Sequence, residues 1–130
     1  MPVIEVMLLP DMEQEKLEQL YDDIWEQIER ITALKLTRAR PQDVTVLFPK
    51  DMMQKGIGDY FLVRVSNLKP KPERTTQVIM GLAYNLADMM KRWFPNAKFI
   101  EVVIDEQHPR TVIHVIDVTK PYTLSMEPRA

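Results

Sequence analysis

Apolar positions along this chain follow two spacings, and the places where one gives way to the other mark out its elements. Residues 3–9 are almost continuously apolar, and β-branched Val3, Ile4 and Val6 predict a strand that Pro10 closes. Asp11 with Gln14 three places later has the form of a capping box, in which a carboxylate satisfies the exposed amides of a helix start. Leu17, Leu20, Tyr21, Ile24, Ile28 and Ile31 then recur at steps of three and four, which predicts an amphipathic helix. Glu13, Glu15, Asp22, Asp23 and Glu29 fall on its other faces and read as a solvated surface. The pattern fades near Leu34 into an Arg38-Ala39-Arg40-Pro41 connector, and Val44 to Phe48 predicts a second strand that ends at Pro49.

After a loop at 49–59 that carries two of the three glycines, the scheme repeats. Tyr60 to Ser66 predicts a strand, and Lys69-Pro70-Lys71-Pro72 a turn that delivers a proline to the first turn of a helix. Val78, Ile79, Leu82, Leu86, Met90 and Trp93 mark one face of that helix, and Pro95 stops it. Phe99 to Ile104 and Thr111 to Val118 read as further strands, and residues 121–130 as a tail without pattern. The chain thus reads as a single domain over 1–120, built of two strand–helix–strand units at about 1–58 and 59–118. Crossover connections make the strands of each unit parallel. Joined edge to edge, the units give an α+β sandwich: a four-stranded sheet with two helices on one face. The other face needs cover from a second subunit, so an oligomer is expected, with the 111–118 strand as an arm for a neighbour's sheet edge.

Composition narrows the function classes. With 45% apolar and 28% charged residues the chain can bury a core, and a net charge of −2 offers no field for nucleic acid or an acidic membrane. No apolar run is long enough to span a bilayer, and Glu5 interrupts the opening stretch, which argues against a signal peptide and for a cytoplasmic address. The absence of cysteine removes disulfides, thiol nucleophiles and thiolate metal clusters. His108 and His114 with Asp105 and Glu106 read as a loop cluster rather than a metal site, and no glycine-rich phosphate loop is present, so neither metal nor cofactor is expected. Met80, Met89 and Met90 and the Pro-Met-Met loop at 49–53 read as packing.

The candidate chemistry begins at Pro2. If Met1 is removed, the proline ring nitrogen becomes a free secondary amine. An α-amino group titrates near ~8 in model peptides, and desolvation or neighbouring cations lower it towards a value suited to general base work. Met-Pro is equally a plain chain start, and the layout of the residues after Pro2 decides between the two.

A Met-Pro start, about 130 residues and a doubled strand–helix–strand layout resemble the tautomerase superfamily. The likeness spans roughly residues 1–105. It implies that processed Pro2 is the catalytic base, that the fold is that of tautomerases and macrophage migration inhibitory factor, and that the protein is a homotrimer. Phe48-Pro49-Lys50-Asp51-Met52-Met53 is similar to the segment after the second strand in the macrophage migration inhibitory factor branch. Lys69-Pro70-Lys71 looks like the Arg-Pro-Arg turn of the malonate semialdehyde decarboxylase branch, whose arginines hold the substrate carboxylate, and Asp43 falls where that branch has a catalytic aspartate. Asp59 to Val65 looks like the matching stretch of 5-carboxymethyl-2-hydroxymuconate isomerases. Where bacterial 4-oxalocrotonate tautomerases carry substrate-binding arginines, this chain has the Asp11-Met12 turn and Thr45.

The implied activity is a tautomerase moving a proton within a 2-oxo or enol carboxylic acid. It needs a base, a partner for the developing enolate and an anchor for the carboxylate. Pro2 is the expected base, lined by Phe48 and Tyr60, and Lys69 and Lys71 the expected anchors. Arg38, Arg40, Lys50, Arg64 and Arg74 are further candidates that read equally as surface charge. Lysine in place of arginine keeps the charge but not the planar, two-pronged grip. Asp43, otherwise a turn residue before a strand, would orient a water in a decarboxylase or hydratase. A catalytically silent oligomer binding a small acid or a protein is the remaining alternative.

Overall fold

A computed structural model describes residues 1–55 and 57–106. Its elements are β1 (Val3–Met7), α1 (Gln14–Glu29), single turns of 3₁₀ helix at Thr32–Leu34 and Pro41–Asp43, β2 (Thr45–Leu47), β3 (Tyr60–Leu68), α2 (Thr76–Trp93) and β4 (Phe99–Glu106). The strands form one mixed sheet in the order β2-β1-β3-β4. β1 pairs parallel with β2 and β3 parallel with β4, as the two expected units require, and β1 and β3 join them antiparallel at the centre. The predicted strand at 111–118 and the tail at 121–130 lie outside the described residues.

Period-2 alternation decides which face of the sheet is covered. Ile4 and Val6 of β1 and Phe61, Val63 and Val65 of β3 are buried, and they share one core with Leu20, Ile24, Trp25 and Ile28 of α1 and Leu82, Leu86, Met89 and Met90 of α2. Both helices therefore lie on one face. The Phe61 and Phe94 rings stack at 4.4 Å between centroids, joining the start of β3 to the end of α2. The opposite face carries Val3, Glu5 and Met7 paired across to Ser66, Arg64 and Leu62. At its edges Leu47, Tyr60 and Phe99 are about half exposed, so among the described residues a largely apolar face, with Glu5, Arg64 and Glu101 set within it, is left without a covering layer.

Several element ends differ from expectation, each for a local reason. β1 stops at Met7 because Leu8 turns into the left-handed region (φ 67°), where its carbonyl accepts the N–H of Gly58 at 2.9 Å. The Asp11–Gln14 capping box does not form: α1 starts at Gln14 with Glu13 in the capping position and no side-chain cap, and Asp11 instead faces Lys50 at 3.7 Å. Pro72 is not in the first turn of α2. Thr75 caps that helix, its hydroxyl accepting the Val78 N–H at 3.3 Å, and the proline belongs to the turn before it. β2 shrinks to three residues because the 3₁₀ turn at Pro41–Asp43 takes up the chain before it. Met89 and Met90 pack in the core as expected, whereas Met80 is half exposed on the outer side of α2.

Candidate functional site

Strand directions alone assemble the site. With β1 and β2 parallel and β3 antiparallel to β1, the first residues of β1 and β2 meet the last residues of β3 and β4 at one end of the sheet. Pro2 stands there, buried, its carbonyl accepting the Thr45 N–H at 3.0 Å. Proline fits this position because its ring fixes φ and no ladder bond asks for its N–H. Met1 continues outward and is largely exposed, its Sδ 3.4 Å from the Thr45 hydroxyl that donates to it.

Asp43 precedes β2, and the Lys69-Pro70-Lys71 turn follows β3, so both belong to the Pro2 end of the sheet. Asp43 is not free there: its carboxylate holds the Arg40 Nε at 3.2 Å. Lys69 and Lys71 are exposed, with no carboxylate of the described residues within ion-pairing distance of either. Glu73, the nearest acid in sequence, pairs instead with Lys35 at 3.6 Å. A backbone hydrogen bond, with Lys35 and Lys71 adding to it, holds the Glu73 carboxyl below its ordinary value.

Other candidates are placed elsewhere. Phe48 follows the last residue of β2 and Tyr60 opens β3, so both lie at the opposite end from Pro2. Leu62, two residues inside Tyr60, is already opposite Met7, five residues and roughly 17 Å along β1 from Pro2. Within one chain, therefore, Phe48 and Tyr60 do not line the proline. The parallel β1–β2 pair expected from the crossover already places Phe48 at the far end; for Tyr60 the direction of β3 relative to β1, which spacing does not fix, decides it. Arg38 bonds to Asp22 of α1 and lies 5.5 Å from the centre of the Tyr21 ring. Lys50 faces Asp11, and Arg64 sits on the uncovered sheet face opposite Glu5. Arg74 is no surface charge: it is buried, and burial pulls its pKa below the ordinary guanidinium value. A shallow depression on the outer side of α1, lined by Asp22, Glu26, Glu29, Arg30 and Arg38, takes in none of the Pro2-end residues, and its charges largely satisfy one another.

One residue at the Pro2 end went unmarked. Asn67 adopts a left-handed backbone (φ 60°) within a register irregularity between Val65 and Leu68. Asn tolerates that region better than most side chains, and such bulges re-aim a strand's end. The irregularity falls near the end of β3, where Leu68 still pairs with Glu106 before the chain enters the lysine turn. Its only trace in sequence is an Asn near the end of an otherwise good strand.

Among the described residues no three of His, Cys, Asp and Glu group closely enough to hold a metal, and His108 and His114 lie outside them. No helix of those residues is long and apolar enough to cross a membrane.

Solved structures share this arrangement. A fused 4-OT wild-type symmetric trimer superposes with a TM-score of 0.60 at 17% identity, covering 87% of this chain and 90% of its own. The chain has the 4-OT fold. An asymmetric trimer of another fused 4-OT gives a TM-score of 0.54 at 12% identity over 79% of this chain and 85% of that one. Pt0534 inactivated by 2-oxo-3-pentynoate gives 0.52 at 13% identity over 85% and 87%. Neither a protein-family model nor a curated protein matches the sequence. The tandem layout read from the apolar pattern is thus the 4-OT layout, carried by a sequence that shares few residues with these structures.

Proposed function

We propose that this chain is a cytoplasmic homotrimer of the tautomerase superfamily that moves a proton within a 2-oxo or enol carboxylic acid, with processed Pro2 as the base. The observation that carries the reading is the sharing of one sheet end by Pro2 and the two lysines of the Lys69-Pro70-Lys71 turn, on a 4-OT fold. The neutral amine takes a proton from the carbon beside the oxo group, and the electron pair moves onto oxygen as an enolate. The proton then returns at another atom of the conjugated system, so nothing is oxidised or reduced. Lys69 and Lys71 hold the carboxylate as two ammonium charges. The structure of Pt0534 inactivated by a 2-oxo acid supports that substrate class.

Processed protein should accelerate ketonisation of phenylenolpyruvate or 2-hydroxymuconate, followed by the loss of enol absorbance. No acceleration of either by untagged, processed protein would sink the assignment. A decarboxylase or hydratase on the same site is the second reading, favoured by the position of Asp43 at the Pro2 end. The variant Asp43→Asn separates the two: proton transfer by Pro2 alone survives it, and water activation does not. A catalytically silent binding protein would show neither activity.

The trimer is supported by the fused 4-OT trimers and by the uncovered sheet face. Leu62 lies on that face between Met7 of β1 and Glu101 of β4. Leu62→Glu places a charge on the apolar surface beside an existing carboxylate. It should convert the wild-type assembly to monomer in sedimentation or light scattering, and an unchanged mass would move the interface elsewhere.

A further inference from the structure

Arg74 differs in kind from the other cations of the described residues. The residue is 8% exposed, and no carboxylate of the described residues pairs with it. Its partners are carbonyls. Nη1 donates to the Lys69 carbonyl at 2.8 Å and Nη2 to the Leu34 carbonyl at 2.9 Å, while its main-chain N–H donates to the Lys71 carbonyl at 2.9 Å. One residue thus clasps the main chain of both turn lysines and ties it to the connector that follows α1. Nε, also buried, has no hydrogen-bond partner among the described residues.

A buried guanidinium that no carboxylate of the described residues pairs with, the Glu73 charge favouring it only at longer range, is a costly way to close a turn. Pro70 and Pro72 already restrict this segment, and a link between β3 and α2 asks for nothing more. What the planar fork adds is a fixed relation between two carbonyls, those of Lys69 and Leu34, which no single-pronged donor reproduces. Lysine side chains are long and flexible, so their charge can be aimed only through the main chain that carries them.

We propose that Arg74 is the positioning residue of the Lys69-Pro70-Lys71 turn, holding both lysine carbonyls so that the two ammonium groups converge on a substrate carboxylate at the Pro2 end. The inference rests on the carboxylate-anchoring role proposed for those lysines. Removing the fork leaves both lysine charges and the main-chain bond to the Lys71 carbonyl in place, but releases the Lys69 carbonyl and its tie to Leu34, and with them the fixed shape of the turn. Affinity for a carboxylate then falls while affinity for the same molecule without its charge does not.

The experiment is calorimetric titration of processed protein with phenylpyruvate and with its methyl ester, comparing the acid-to-ester affinity ratio. The wild type should favour the acid, and Lys69→Ala/Lys71→Ala should reduce the ratio by about tenfold or more, as loss of charged hydrogen bonds predicts. Arg74→Met should reduce it about fivefold with ester affinity unchanged. Arg74→Lys keeps the charge without the fork and should recover only part, and it serves in place of the methionine variant if that does not fold. An unchanged ratio in both Arg74 variants, alongside a collapsed ratio in the double lysine variant, overturns the role of Arg74 and leaves the anchors standing. A lowered melting temperature with an unchanged ratio does the same, because it marks a purely structural brace. An unchanged ratio in the double variant, or no preference in the wild type, overturns the anchoring role and this inference together.

Discussion

Protein in which Pro2 stays acylated, by Met1 or by any residue left before it, should turn over its enol substrate about 10²- to 10⁴-fold more slowly than processed protein. The reason lies in the nitrogen. As an amide it has no basic lone pair, whereas as a terminal secondary amine it titrates within reach of neutral pH. Nothing else about the site need change, because the Thr45 N–H bond to the Pro2 carbonyl and the strand pairing of Val3 hold β1 in place whether or not Met1 remains. Two measurements check it. Intact mass identifies the processed form, and enol ketonisation gives the two rates. The processed protein should also gain rate as pH rises through the titration of its amine, since the neutral form is the base; the acylated protein should lack that limb. Incubation with 2-oxo-3-pentynoate gives a third signal. Conjugate addition of a free amine to the alkyne adds the whole mass of the acid to Pro2, and an amide nitrogen adds none. Equal rates in the two forms would remove Pro2 from the chemistry while leaving the fold untouched.

The fold was legible because its apolar positions follow one period at a time. Ile4 and Val6 alternate with Val3, Glu5 and Met7, and Leu20, Ile24 and Ile28 recur by turns of a helix. Burial confirmed each pattern at the residues that carried it. Boundaries were less legible, because they turn on single backbone conformations. The left-handed Leu8 ends β1 early, and the irregularity at Asn67 carries β3 two residues beyond Ser66. Leucine does not announce such a φ and asparagine hints at it only weakly, whereas Gly58, with φ 80°, sits where a glycine is needed.

Half of the candidate site was legible, and strand direction explains the division. Pro2, Asp43, Lys69 and Lys71 each border a strand end, and a parallel β1–β2 pair with an antiparallel β1–β3 pair brings those ends together. Phe48 and Tyr60 border strand ends too, but the same directions carry them to the far side. Charge candidates divided by burial, which composition does not reveal. Arg38 and Arg40 are engaged by Asp22 and Asp43 at the surface, whereas Arg74 is drawn inside by carbonyls that have no side-chain signature at all.

The largest loss of stability is expected at Trp25, a residue outside the apolar repeat that predicted α1. It is fully buried at the centre of the core, next in sequence to Ile24 and one turn from Ile28. A helix that packs against both a sheet and a second helix buries a stripe wider than the three-and-four repeat of its leucines and isoleucines, and the indole fills that extra width. Trp25→Ala removes the largest side chain in the core and should cost about 3–5 kcal/mol. That is a large part of the roughly 5–15 kcal/mol that holds a domain together, so the variant should melt well over ten degrees below the wild type or fail to fold. The indole has an opposing contribution. Its Nε1–H is buried without a hydrogen-bond partner among the described residues, in contrast to Trp93, whose Nε1–H donates to Asp23 at 2.9 Å. An unsatisfied buried donor costs about 1–3 kcal/mol, which phenylalanine would recover while keeping most of the ring volume. Trp25→Phe should therefore cost less than half as much as Trp25→Ala by chemical denaturation. Equal losses would mean that the indole N–H is satisfied, by a buried water or by a neighbouring chain of the assembly, and that its nitrogen contributes to the core rather than opposing it.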